Sequence, residues 1–153
     1  MVRKTLLVLV LLLGGSAGAL SAQLTVVGLR NLAFGPVIQG IPSAVAPNDP
    51  IKSGQFEFIV PIGSRVRIQF TLPTRLNGPA GATMNIQFRN NDAIALGQGP
   101  TSVPVTFNPH AAQTFNIVSS NRIWVFLGGR VTPAATQATG NYQNTVTLTV
   151  TVL

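Results

Sequence analysis

Asp49, Glu57, Asp92 and His110 are the only carboxylate and imidazole side chains in this 153-residue sequence. With one histidine and no cysteine, the inventory for a zinc or other transition-metal site is nearly empty, because such sites need several nitrogen or sulfur ligands at workable spacing. The three carboxylates stand far apart and follow no calcium-loop pattern. A serine hydrolase would place a histidine between a serine and a carboxylate, a spatial arrangement that sequence does not reveal. His110, however, lies in "NPHAA", a turn-forming stretch with no nucleophile motif around it. Gly128 and Gly129 could suggest a phosphate cradle, yet neither a Lys-Ser/Thr pair nor a helix pattern follows them. The sequence therefore predicts no catalytic residue, no metal site and no cofactor, and leaves surface and backbone as the working parts.

Arg3 and Lys4 precede the apolar run "TLLVLVLLL", and small residues lead on to "SAGALSAQ", the layout of a secretory leader. A run of about nine residues is too short for a bilayer span of roughly twenty, so no stable membrane insertion is expected. The spacing predicts a leader over residues 1–22 with cleavage after Ala22, or alternatively after Ala19, and one domain over residues 23–153. An exported chain without cysteine has no disulfide to rely on, so packing and backbone pairing must supply its stability. The formal net charge is +7. Without Arg3 and Lys4, eight basic residues stand against three acidic ones. The basic residues are scattered singly apart from "SRVR". A nucleic-acid reader clusters them with stacking aromatics, and no nucleic-acid partner is expected.

No stretch keeps a helical apolar period for three turns, whereas period-2 runs recur. In "SRVRIQFTL", Val66, Ile68, Phe70 and Leu72 share one parity and Arg65, Arg67, Gln69 and Thr71 the other, as in an antiparallel strand with one wet face. "TMNIQFR" sets Met84, Ile86 and Phe88 inward; "FEFIV" does so with Phe56, Phe58 and Val60, and "SVPVTF" with Val103, Val105 and Phe107. Glu57 then faces water, with Arg65 or Arg67 as cross-strand partner. Arg65, Arg67, Asn85, Gln87 and Arg89 are expected on solvated sheet surface, where they could also form a glycan- or anion-binding face. "RIWVFL" is apolar on both faces, so it lies centrally or presents Trp124 and Phe126 to a partner. In the last strand Val146, Leu148, Val150 and Val152 point inward and Thr145, Thr147, Thr149 and Thr151 outward. Turn-rich stretches separate about eight strands, roughly 24–34, 36–40, 54–60, 64–72, 83–89, 102–107, 113–118 with 122–127, and 144–152. The pattern predicts an all-β, antiparallel sandwich.

"LRNLAFGPVIQG", "SGQFEFIVPIGSRVRIQFTLP" and "VFLGGRVTPAATQATGNYQNTVTLTV" together resemble the DUF4402 pilin-like domain family of exported bacterial proteins. Leu32, Phe34, Gly35 and Val37 carry the early part of that pattern. Gly128, Gly129, Val131, Gln137, Gly140, Tyr142, Val146 and Val150 carry the late part. The chain stops at Leu153, where the family usually closes on an aromatic residue. The resemblance implies an immunoglobulin-like β-sandwich related to fimbrial and spore-coat-U-type subunits, exported to the cell surface or beyond, by way of the periplasm. Beside it, the residues give Tyr142 a structural role, its ring closing the sandwich edge and its hydroxyl seeking a backbone acceptor. Gly128 and Gly129 are expected to supply positive φ at a tight reversal.

Two functions follow as expectations. One is a structural subunit of a bacterial surface filament or coat that self-associates by β-strand addition and is handled by a periplasmic chaperone or usher. Its donor segment would carry Leu24, Val26, Val27 and Leu29, set off from the domain by a bulge or break near Gly28, across which apolar parity changes. The other is a monomeric secreted module that binds glycan or protein through its loops or its arginine-bearing face.

Overall fold

The computed structural model describes residues 24–97 and 102–153; the expected leader lies outside them. The described chain is all-β and sandwich-like, with twelve strands in three antiparallel sheets. They are β1 (Thr25–Arg30), β2 (Ser43–Val45), β3 (Gly54–Ile59), β4 (Arg65–Thr71), β5 (Arg75–Asn77), β6 (Thr83–Gln87), β7 (Ala93–Gly97), β8 (Val105–Phe107), β9 (Gln113–Asn116), β10 (Arg122–Leu127), β11 (Gly129–Thr132) and β12 (Thr147–Val152). One sheet runs β1-β3-β10-β7-β8, the second β2-β11-β6-β5 and the third β12-β4-β9.

One core draws on all three sheets. Phe58, Val125, Leu127, Ala93 and Ala95 come from the five-stranded sheet, Met84, Ile86 and Val131 from the four-stranded, and Val66, Ile68, Phe70, Leu148 and Val150 from the three-stranded. The period-2 alternation of β4, β6 and β12 places these side chains, since successive residues of a strand point to opposite faces. Fully burying a Val, Leu, Ile or Phe side chain contributes roughly 1.5–3 kcal/mol. Aromatic edges join the five- and three-stranded sheets: Phe56 meets Phe70 edge-on at 5.6 Å, and Phe107 meets Phe115 at 5.9 Å.

Strand β10 lies in the middle of its sheet, between β3 and β7, as its two-sided apolarity predicts. The other boundaries differ from expectation in instructive ways. The strand expected over 24–34 ends at Arg30, and the one expected over 36–40 is replaced by a loop that nevertheless sends Leu32, Phe34 and Val37 toward the core. β2, β5, β7 and β11 come from segments read as turns or left unassigned. Val103 and Val105 are exposed and Phe107 alone of that set is buried, because β8 is an outer strand of three residues. The last strand begins at Thr147 rather than 144; Leu148 and Val150 are buried, and Val152 emerges at the strand end.

Gly128 and Gly129 do not adopt positive φ. The chain does not reverse there. It passes from β10 in the five-stranded sheet into β11 in the four-stranded one. Gly128 is required by crowding: a β-carbon on it would stand 2.4 Å from the Val45 carbonyl oxygen and 2.7 Å from the Pro47 nitrogen.

Candidate functional site: an edge strand, its anchor and the adjoining groove

β1 pairs with β3 from Thr25↔Ile59 to Arg30↔Gln55, and its register shifts between Gly28 and Arg30. The break expected near Gly28 is therefore present. Among the described residues β1 has no ladder neighbour on its other side. Val26, Val27 and Leu29 are 37–51 % exposed, and Leu24 just ahead of the strand is half-buried. Val26 stands on the face of Phe58 and Val27 on the face of Glu57, so apolar side chains project on both sides of an open edge. An unpaired row of N–H and C=O groups with such side chains is a template for another strand.

The end of β1 is fixed by Arg30. Its Nε donates to the Ser53 carbonyl (2.7 Å), Nη2 donates to Ser53 Oγ (2.8 Å) and Asp49 O (3.4 Å), and Nη1 donates to Pro50 O. Ser53 is fully buried and its hydroxyl donates to Asp49 O (2.6 Å). Asp49 Oδ1 in turn accepts from the N–H groups of Ile51 (2.9 Å) and Lys52 (2.8 Å). Those two bonds, Lys52's first, lower the Asp49 pKa below its ordinary 3.8, because hydrogen bonds to the charged form favour it. Residues beyond Arg30 are thus held independently of the strand before it.

Next to this anchor lies a groove of about 1150 Å³, bounded by residues 28–37 and 137–146 and lined by Phe56, Leu76, Met84, Ile86, Leu127 and Val131. Leu32 and Phe34 contribute half-buried side chains, and Gly35 turns the chain between Phe34 and Pro36 at φ 69°. The far wall is tied by Gln137 and Tyr142. Gln137 Nε2 donates to Tyr142 Oη (2.6 Å) and Thr83 O (3.1 Å), and its Oε1 accepts from Ala134 N–H (3.1 Å). The Tyr142 hydroxyl donates to Ala138 O (2.7 Å), the backbone acceptor expected for it. Its ring lies where a β-carbon on Gly78 would stand, within 2.3 Å of Cε1. Gly140, at φ 149°, passes against Pro79.

Glu57 corrects a sequence expectation. It is on the outer face of the five-stranded sheet, yet only 7 % exposed. Its register partner Trp124 donates Nε1–H to Oε2 (2.8 Å), while Arg122 Nη1 donates to Oε1 and Oε2 (3.0 and 2.9 Å). Arg65 and Arg67 belong to another sheet. The missed signal was "RIW" in the strand next door: arginine and tryptophan two residues apart share a face and offer two donors.

The polar residues expected together are also divided, Arg65 and Arg67 being on the three-stranded sheet and Asn85 and Gln87 on the four-stranded one; Arg89 is exposed just past β6. His110 is exposed, its Nε2 2.8 Å from Phe88 O. No cluster of three or more His, Cys, Asp or Glu residues occurs among the described residues. Among them, too, no helix is long and apolar enough to cross a membrane. No family model, curated protein or solved structure matches the chain.

Proposed function

We propose that this chain is an exported structural subunit of a bacterial surface filament or coat, assembled by β-strand addition with residues 24–29 as the donor. The observation that carries this reading is β1: among the described six-residue strands it alone contains no buried residue. Its attachment therefore rests mainly on the backbone ladder to β3. A net hydrogen bond contributes about 0.5–1.5 kcal/mol, and the same ladder can form on the β3 edge of a neighbouring copy. Such an exchange is head-to-tail and extends into an open array when its rotation does not close. The Arg30 anchor favours this movement, because the strand can leave without drawing out the segment that covers the core.

A second reading, a monomeric secreted module for glycan or protein, is favoured by the groove beside β1 and by the pairing of β1 within its own domain. Solution mass and electron microscopy of the protein recovered after export separate the two. The filament reading expects ordered polymers that disappear when residues 24–29 are deleted while the circular dichroism of the domain persists. A monomer at every attainable concentration, or polymers indifferent to the deletion, overturns it.

A further inference from the structure

The strand directions bring six strand ends to one end of the molecule. β1 begins there, β3 and β7 end, β4 and β10 begin, and β12 ends. Backbone hydrogen bonds brace it: Gly63 N–H to Ile117 O (2.7 Å), Ile117 N–H to Ser64 O (2.9 Å), Val60 N–H to Asn121 O (2.9 Å) and Leu153 N–H to Arg65 O (2.8 Å). Ser102 and Ser120 both flank Gly97, within 4 Å of where its β-carbon would stand, which places Ser102, just ahead of Val103, at the same base.

From this base project aliphatic side chains: Ile62 (60 % exposed), Val103 (76 %), Val118 (77 %) and Leu153 (60 %). One exposed valine on a surface needs no explanation, but four aliphatic side chains from separate segments are exposed at this one end. The exposed charged side chains of the strand behind it carry one sign. Arg65 and Arg67 open β4 directly behind the tip, and both are exposed. Asp49 and Asp92 are at the opposite end, ahead of β3 and β7, and Glu57 is engaged by Arg122. Among the described residues no acidic side chain lies at the tip.

We propose that this end is a peripheral contact for an anionic phospholipid surface. Ile62, Val103 and Val118 enter the boundary between headgroups and acyl chains, while Arg65 and Arg67 meet the phosphates. Buried apolar area and attraction to anionic lipid together set the strength of such contacts. The shape favours lipid over a protein partner. Protein hot spots are enriched in Trp, Tyr and Arg seated in pockets, with Val and Leu under-represented, whereas these are aliphatic points on loop tips. The inference is independent of strand addition.

The chain's lack of cysteine makes an introduced thiol unique. In the protein recovered after export, Ile62→Cys, Val118→Cys and Ile51→Cys carry a polarity-sensitive dye and are mixed with vesicles of phosphatidylcholine, with or without phosphatidylglycerol. Ile51 is at least as exposed as either, at the opposite end. The expected result is a blue shift and quenching by brominated lipid at 62 and 118, absent at 51, and only with phosphatidylglycerol. Arg65→Gln with Arg67→Gln raises the lipid concentration for half-binding by on the order of tenfold. Unchanged emission at 62 and 118, equal response at 51, or indifference to the arginine variants overturns the proposal. So does a vesicle-independent shift that grows with protein concentration, which identifies a contact between copies instead.

Discussion

β1 and β12 are both six-residue strands at the edge of a sheet, each paired along its length with one neighbour. β12 sends Leu148 and Val150 into the core from beside β4, whose Val66 and Ile68 are fully buried. β1 lies beside β3, where Phe58 is already fully buried, and its own Val26, Val27 and Leu29 stay exposed. A ladder with little burial holds a strand mainly by net hydrogen bonding, whereas deep burial adds a term that a neighbour cannot easily replace. Two edge strands of equal length thus differ in how readily each can be given away.

The largest test of this contrast sets Leu148→Asp against Val26→Asp. The first buries a charge beside Phe70, its register partner, and is expected to yield no folded protein. The second is expected to fold with a nearly unchanged urea midpoint. Equal damage by both would erase the distinction, and Leu148→Ala, expected to cost about 2–5 kcal/mol, gives a graded version.

A middle-sized effect is expected between the edges. Glu57→Ala removes the acceptor shared by Arg122 and Trp124, at a cost of about 1–3 kcal/mol. Trp124 is the only tryptophan, so its emission should move to the red in the folded variant. An unchanged midpoint and spectrum would show that the bonds to Glu57 contribute nothing to the sheet.

The smallest effect concerns the anchor of β1. Asp49 has a lowered folded pKa, so its contribution is fully present above the ordinary carboxylate value. It is lost as pH falls through the lowered one. Asp49→Asn should therefore reduce stability slightly at neutral pH and flatten its decline in acid, as read by denaturant midpoints across pH. An identical acid limb in both proteins would remove Asp49 from the account.

Alternation made β4, β6 and β12 legible, because each has one dry face and one wet face. β10 was legible by the opposite sign, apolarity on both faces, and the parity change at Gly28 marked the bulge in β1. β7 was not, since "AIALG" is short and bounded by turn residues. β11 was hidden because its "GRVT" begins at the second glycine of a pair that resembles a turn. Glu57 was misplaced because parity identifies the face of a strand but not the side chains that neighbouring strands lay across it. Val103 and Val105 show the converse: alternating apolar residues remain exposed where the outer strand is short.

The passage from β10 through Gly128 into β11 has a mechanical consequence. Leu127 is buried in one sheet and Val131 in the other, with only three residues between them. A pull on either layer is transmitted by covalent backbone as well as by side-chain friction, so at this seam the layers cannot slide apart and must yield together. A side chain at 128 would wedge the seam open against residues 45–47, weakening the transfer of load between the layers.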